Sequence, residues 1–262
     1  MWEPDTYLRY AEERSRPFHD LLARVPARHP RAVVDLGCGP GHLTVALRER
    51  WPDARIAGLD TSPEMIDRAR TLPGDVEFTL GDVRTWRPGP EVDVVVTNAV
   101  LQWVPGHTDL LRRWAADLPA GAWLAVQVPQ NFDAPSHRAI RQVAADGPWR
   151  DDLSGVLRHD PVSDATGYAL LLTGAGCAVD AWETTYVHLL PAPATADHPV
   201  LSWLEGTGLR PVRAALGADD GRWAAFRAVL ADRLAEAYPV QDGQVYFPFR
   251  RVFVVARTRA CP

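Results

Sequence analysis

Glycines, acids and one amide recur at fixed places beside apolar runs, and those are the residues able to do chemistry. In Val33-Val34-Asp35-Leu36-Gly37-Cys38-Gly39-Pro40-Gly41-His42-Leu43 an apolar run ends near an acid, a glycine-rich corner follows, and a helical pattern starts at once. Glycines at 37, 39 and 41 let the backbone turn sharply and keep side chains out of the gap, so peptide N–H groups can face a ligand lying against the main chain. The N-terminus of the following helix favours an anionic group there, such as a ligand carboxylate. A dinucleotide fingerprint, Gly-x-Gly-x-x-Gly, would put its third glycine at position 42, which is His42. The spacing here is Gly-x-Gly-x-Gly, and a tight turn that holds no ligand has the same glycines. Asp60 ends the next apolar run, and a carboxylate in that place matches two adjacent ribose hydroxyls. Asp82, in Gly81-Asp82-Val83, can accept from an adenine amino group with Val83 against the ring, although Gly-Asp alone is only a turn signal. Asn98 ends a fourth run, Asp93-Val94-Val95-Val96-Thr97.

The elements that position these residues alternate. Strands are expected at 32–36, 55–60, 76–80, 93–98 and 121–128, with helical patterns between most of them. Ser62-Pro63-Glu64 reads as an N-cap, a first-position proline and a first-turn acid. Leu110, Trp114 and Leu118 share one helix face. Such alternation predicts a parallel sheet, with Asn98 at the carboxyl end of a strand beside the first one, at the topological switch point where ligands bind. Ahead of the sheet, a helical segment reaches about Arg24 with Phe18, Leu21, Leu22 and Val25 as its apolar face; it is either a lid over the cleft or a surface helix. After residue 131 helical pieces are expected at 136–146, 163–175 and 198–239, with strands at 176–188 and 249–257. Trp223, Phe226, Leu230 and Leu234 form a stripe best read as core.

The bulk numbers set limits. The chain has 262 residues, 47% of them hydrophobic, enough for one large core. A net charge of −5 gives no basic field for nucleic acid. Its 28 Lys+Arg are all arginine. The start, Met1-Trp2-Glu3-Pro4-Asp5, does not read as a signal peptide, and no apolar run of about 18 residues suggests a membrane span. Cys38, Cys177 and Cys261 are too few and too scattered for a disulfide framework or a zinc site, so a reducing cytoplasm is the expectation.

The glycine corner with Asp35 resembles motif I of the class I S-adenosylmethionine-dependent methyltransferases. More of the chain is similar to one family among them, the trans-aconitate 2-methyltransferases. The residues that carry this are Tyr7-Leu8 with Glu13-Arg14-Ser15-Arg16-Pro17, Asp35 to Gly41, Asp60-Thr61-Ser62-Pro63, Asn98-Ala99-Val100-Leu101-Gln102-Trp103, Ala125-Val126-Gln127-Val128-Pro129, Trp182-Glu183-Thr184-Thr185-Tyr186, Thr207-Gly208-Leu209-Arg210-Pro211 and Arg251 to Arg257. His42-Leu43-Thr44 and Val187-His188-Leu189-Leu190 depart from the family pattern.

The resemblance implies an α/β fold: a Rossmann-like, seven-stranded, mostly parallel sheet with helices on both faces. Residues 1–262 would be one domain, with 1–30 over the cleft and 131–239 supplying partly helical cap and substrate-recognition insertions, the cap beginning after strand five. It implies S-adenosylmethionine as cofactor, S-adenosylhomocysteine as its product, and a monomethyl ester of trans-aconitate or a close polycarboxylic acid. Cofactor contacts would come from Asp35, Gly37, Gly39 and Gly41, from Asp60, Thr61 and Met65, from Asp82 and Val83, and from Asn98, Trp103 and Arg16. Substrate contacts would come from Gln102, Tyr186, His188, Arg210, Arg250 and Arg251, with Arg16 a further candidate. Arginine forks suit the carboxylates that do not react.

An ionised carboxylate is already a nucleophile and a sulfonium already an electrophile, so positioning alone is required, with no catalytic side chain and no metal. Cys38 reads as a small buried side chain, and Trp103 either as core or as a cleft wall facing the sulfonium. Two other readings use the same residues. One is transfer to a different small-molecule acid or hydroxyl, for which His107, His137 or His188 would be offered as base. The other is an inactive cofactor-binding partner protein. A nicotinamide dehydrogenase is disfavoured by His42. Partners would be a small-molecule polycarboxylate, with neither nucleic acid nor membrane.

Overall fold

The computed structural model describes residues 11–157, 162–193, 197–217 and 220–259. The expectations placed on Tyr7, Leu8 and Cys261 lie outside the described residues. Near-continuous apolar runs become the inner strands β1 (Ala32–Leu36), β4 (Val92–Asn98) and β5 (Trp123–Pro129), which are buried along most of their length. Strands covered on both faces need such runs. β2 (Arg55–Asp60) and β3 (Val76–Leu80) extend the parallel part beyond β1. With β6 (Ala178–Pro191) and β7 (Gln244–Arg257), one seven-stranded sheet has the order β3-β2-β1-β4-β5-β7-β6. β1 pairs parallel with β4, β4 parallel with β5, and β5 antiparallel with β7.

The described residues form two units. The first holds 11–129, 162–184 and 251–259, and the second 130–157, 185–193, 197–217 and 220–250. In the first, α1 (Ala11–Ala23) buries Phe18, Leu21 and Leu22 and meets β5. α2 (His42–Arg50) follows the glycine corner, and α3 (Pro63–Ala69) is capped as expected, Ser62 Oγ accepting from the Met65 amide at 3.3 Å. α4 (His107–Asp117) buries Leu110 and Trp114. α7 (Ala165–Gly174) also belongs here, whereas the helices before and after it in the segment 131–239 belong to the second unit. The reason is packing: Tyr168 and Leu172 are fully buried, and the Tyr168 hydroxyl lies 2.7 Å from His107 Nε2. Tyr168→Phe removes that buried contact and should lower unfolding free energy by about 1–2 kcal/mol in urea titration; an unchanged midpoint would show that the contact adds nothing to stability.

The second unit holds α5 (Pro135–Asp146), α6 (Arg150–Leu153), α8 (Pro199–Glu205), α9 (Arg210–Leu216) and α10 (Asp220–Ala237). The stretch read as helical over 198–239 is three helices, because Gly206 ends α8 and Gly217, at φ 70°, ends α9. Trp223, Phe226, Leu230 and Leu234 are its buried stripe. β7 starts at Gln244 rather than at 249: Val245, Phe247 and Phe249 are buried and alternate with Tyr246, Pro248 and Arg250. Pro248, which cannot donate to a ladder, disguised that half of the strand in the sequence. No helix among the described residues is long and apolar enough to cross a membrane.

Candidate active site

From β1 the chain builds outward to β2 and β3 on one side, and then returns to β4 and β5 on the other. The switch point therefore lies at the carboxyl ends of β1 and β4, where a crevice forms in such sheets. The glycine corner sits there. The Gly37 and Cys38 amides both donate to the Leu59 carbonyl, at 2.7 and 3.1 Å, which ties the corner to β2. All three glycines have positive φ, but for different reasons. A Cβ at Gly37 would come within 2.2 Å of Val100 Cγ2, and one at Gly41 within 2.7 Å of Ala69 Cβ, so those two allow close packing. A Cβ at Gly39, with φ 55°, would meet nothing within 4 Å. Gly39 is thus the position where main chain borders open space, and this favours a ligand cradle over a plain turn.

Asp60 clamps that cradle. Its Oδ2 accepts from the Gly39 amide and its Oδ1 from the Ser62 amide, each at 2.9 Å. A carboxylate offers about four lone-pair directions, so each oxygen keeps one for a further donor. Asp35 lies beneath the corner, 3% exposed, accepting from Thr44 Oγ1 at 2.7 Å. Burial raises its carboxyl to about 7, against the Thr44 hydrogen bond; the Asp60 charge adds to the rise. Asp35 therefore positions the start of α2, and the structure shows no open face of it for a ligand. Cys38 is buried, its thiol pushed far above its usual range by burial and then by the Asp35 and Asp60 charges, as an inert packing residue would be.

The other cofactor candidates differ in their freedom. Asp82 is engaged by Arg84: the Arg84 guanidinium reaches Oδ2 at 2.5 Å and the Arg84 amide donates to Oδ1 at 2.8 Å. That partner holds its carboxyl below the usual range. Val83 and Met65 are buried, while Thr61 is exposed. Asn98 Oδ1 is buried and has no hydrogen-bond partner among the described residues, so it awaits a donor. Next to it Ala99 has φ 57°, a strained value for a non-glycine residue. Gln102 secures that bend, Nε2 donating to the Ala99 carbonyl at 2.6 Å, so this arm of its amide holds backbone. Trp103, 43% exposed on the 3₁₀ turn Leu101–Trp103, is not a core aromatic. Arg16 lies on the exposed side of α1, 4.0 Å from Asp20.

Of the substrate candidates, Arg251 is in the first unit. It is 4% exposed, and its Nη1 donates to Gln127 Oε1 at 3.2 Å. Asn98 pairs with Gln127 in register and Gln127 with Phe253, so Asn98, Gln127 and Arg251 stand on one face of the sheet. Arg210, Arg250, Tyr186 and His188 belong to the second unit. Arg250 is exposed; its amide donates to Asn131 Oδ1 at 2.7 Å. His188 is buried and stacks on Trp203, ring centroids 4.7 Å apart. His137 lies 3.2 Å from Ser136 Oγ, and burial followed by the Arg141 charge lowers its imidazole to about 4. Among the described residues no cluster of three His, Cys, Asp or Glu side chains is placed to hold a metal ion.

Two site residues were not singled out from sequence. Thr44 is visible only as the third helical residue after the corner. Gln127 does carry a signal, being the one polar residue in the strand Trp123–Pro129.

A family profile described as a methyltransferase domain matches residues 10–181. A trans-aconitate 2-methyltransferase of Mycobacterium sp. (strain KMS) is 57% identical over 266 residues, covering 98% of this chain and 100% of that protein. A trans-aconitate 2-methyltransferase of Rhodococcus jostii (strain RHA1) is 55% identical over 262 residues, covering 99% and 100%. Among solved structures, a Bacillus YcgJ protein is similar with a TM-score of 0.59 at 14% identity, covering 93% of this chain and 100% of that one, a likeness of fold alone. With an identity above one half running through both units and past the end of the domain profile, the chain belongs to the trans-aconitate 2-methyltransferase family.

Proposed function

We propose that this chain transfers the methyl group of S-adenosylmethionine to a carboxylate of trans-aconitate, giving a monomethyl ester and S-adenosylhomocysteine. The observation that carries this is the 57% identity over 98% of the chain, which extends over the residues of both units. The site fits the cofactor: open space at Gly39, acceptor capacity on Asp60 for a ribose, and an unsatisfied acceptor on Asn98.

When bound, S-adenosylmethionine supplies a methyl group on a positively charged sulfur. The acceptor carboxylate is ionised at pH 7, so no side chain has to remove a proton. What remains for the chain is to orient oxygen, carbon and sulfur in line and to exclude water. Asp60 holds the corner in shape and takes the ribose. Arg251 reads a carboxylate that does not react, with a fork that matches its two oxygens. The reaction partner is thus a small polycarboxylate, with neither nucleic acid nor membrane. Cys38 and Cys177 are buried free thiols, which fits a reducing cytoplasm.

A panel of acids with labelled cofactor tests the reading. Trans-aconitate should yield a monomethyl ester well above background; no ester from it, with turnover on another acid, would overturn the substrate. Asp60→Ala should weaken S-adenosylhomocysteine binding in calorimetry by about 1.5–3 kcal/mol, since a charge-assisted acceptor is lost, whereas unchanged affinity would place the ribose elsewhere.

A further inference from the structure

Gln127 is 0% exposed, toward the carboxyl end of a buried strand, and its Nε2 has no hydrogen-bond partner among the described residues. A buried donor left unpaired is costly and calls for an explanation. Its orientation is not arbitrary. A guanidinium can only donate, so Arg251 Nη1 at 3.2 Å requires Oε1 on its side and turns Nε2 away from it. The backbone of Gln127 is committed too, its carbonyl accepting from the Ala99 amide at 2.9 Å, next to the unpartnered Asn98 Oδ1. At the carboxyl end of the sheet, one face therefore presents a donor on Gln127, an acceptor on Asn98 and the Arg251 cation. The donor and the cation are what an acceptor-only group such as a carboxylate needs.

We propose that Gln127 is a specificity-determining residue of this site, fixing the Arg251 guanidinium through Oε1 and donating Nε2–H to the same non-reacting carboxylate of the acceptor. This rests on the polycarboxylate reading above. An amide does this better than an apolar residue because it orients the guanidinium without neutralising it. A carboxylate at 127 would neutralise it and repel the substrate.

The test uses the purified full chain and its Gln127→Met and Gln127→Glu variants, with trans-aconitate as acceptor and S-adenosylhomocysteine in calorimetry. Gln127→Met should raise KM for trans-aconitate at least 10-fold, and Gln127→Glu at least 100-fold. In both, kcat and S-adenosylhomocysteine Kd should stay within about threefold of the parent. A merely structural role would not produce that split. Should Gln127→Met fail to fold, the isosteric Gln127→Glu, which can pair with Arg251, carries the measurement. KM unchanged in the folded variants overturns the proposal. So does a Kd for S-adenosylhomocysteine weakened 10-fold or more, which would assign Gln127 to the cofactor. The parent is assayed alongside: ester from the parent with unaltered variants sinks Gln127 alone, and no ester from the parent sinks the substrate reading and Gln127 together.

Discussion

Asp35→Asn should gain stability relative to the parent as pH rises from 4 to 8. The folded-state carboxyl of Asp35 is raised to about 7, with burial the leading cause, whereas an unfolded aspartate titrates near 4. Below pH 4 both states carry the proton and the carboxyl costs nothing. Between 4 and 7 the folded state holds a proton that the unfolded chain releases, so the parent loses stability as pH rises, and above 7 the full penalty stays. Three pH units at about 1.4 kcal/mol each give a change on the order of 4 kcal/mol in the difference between the two proteins. Asparagine does not titrate, and its side-chain oxygen can still accept from Thr44 Oγ1. Urea midpoints at pH 4.5, 6 and 8 would show the widening gap. A constant gap would mean that the buried carboxylate is compensated and titrates normally. Thr44→Val gives the companion result: it removes the hydrogen bond that opposes the rise, so the fall in stability should extend to higher pH.

Arg251→Met should raise KM for trans-aconitate by roughly 2–5 kcal/mol of lost binding, the usual cost of removing one partner from a desolvated charge pair. That is at least about 30-fold. S-adenosylhomocysteine affinity should stay within a few-fold, because Arg251 stands with Gln127 on β7 and β5, whereas Asp60, the proposed ribose acceptor, ends β2. Stability is a separate matter: Gln127 Oε1 loses its buried donor, so Arg251→Met should also lower unfolding free energy by about 1–3 kcal/mol, and the kinetics are read on folded protein. Arg251→Lys should recover only part of the loss, as an ammonium lacks the planar fork that matches a carboxylate. Steady-state kinetics with saturating cofactor decides it. An unaltered KM in Arg251→Met would move the carboxylate reader to Arg16, Arg210 or Arg250.

The sequence by itself determined the strand–helix frame around the glycine corner and the family of this protein. Local signals sufficed there, because the glycine corner, Asp60, Asp82 and Asn98 all lie at or just after the end of a strand. The apolar run 32–36, the three glycines, the Ser62-Pro63 helix start and Asn98 closing β4 all stand where the sequence put them. Tertiary structure alone decided what those residues are free to do. Asp35 looked like a ligand contact, yet is enclosed with Thr44; Asp82 is engaged by Arg84 two residues on; Gln102 holds the Ala99 carbonyl. Proline in β7 hid half a strand, and α7 packs in the first unit, where Tyr168 buries beside His107. The Gln127–Arg251 pair joins residues 124 positions apart. Only the antiparallel register of β5 and β7 brings them to one face, and strand pairing over that distance leaves no local pattern to read.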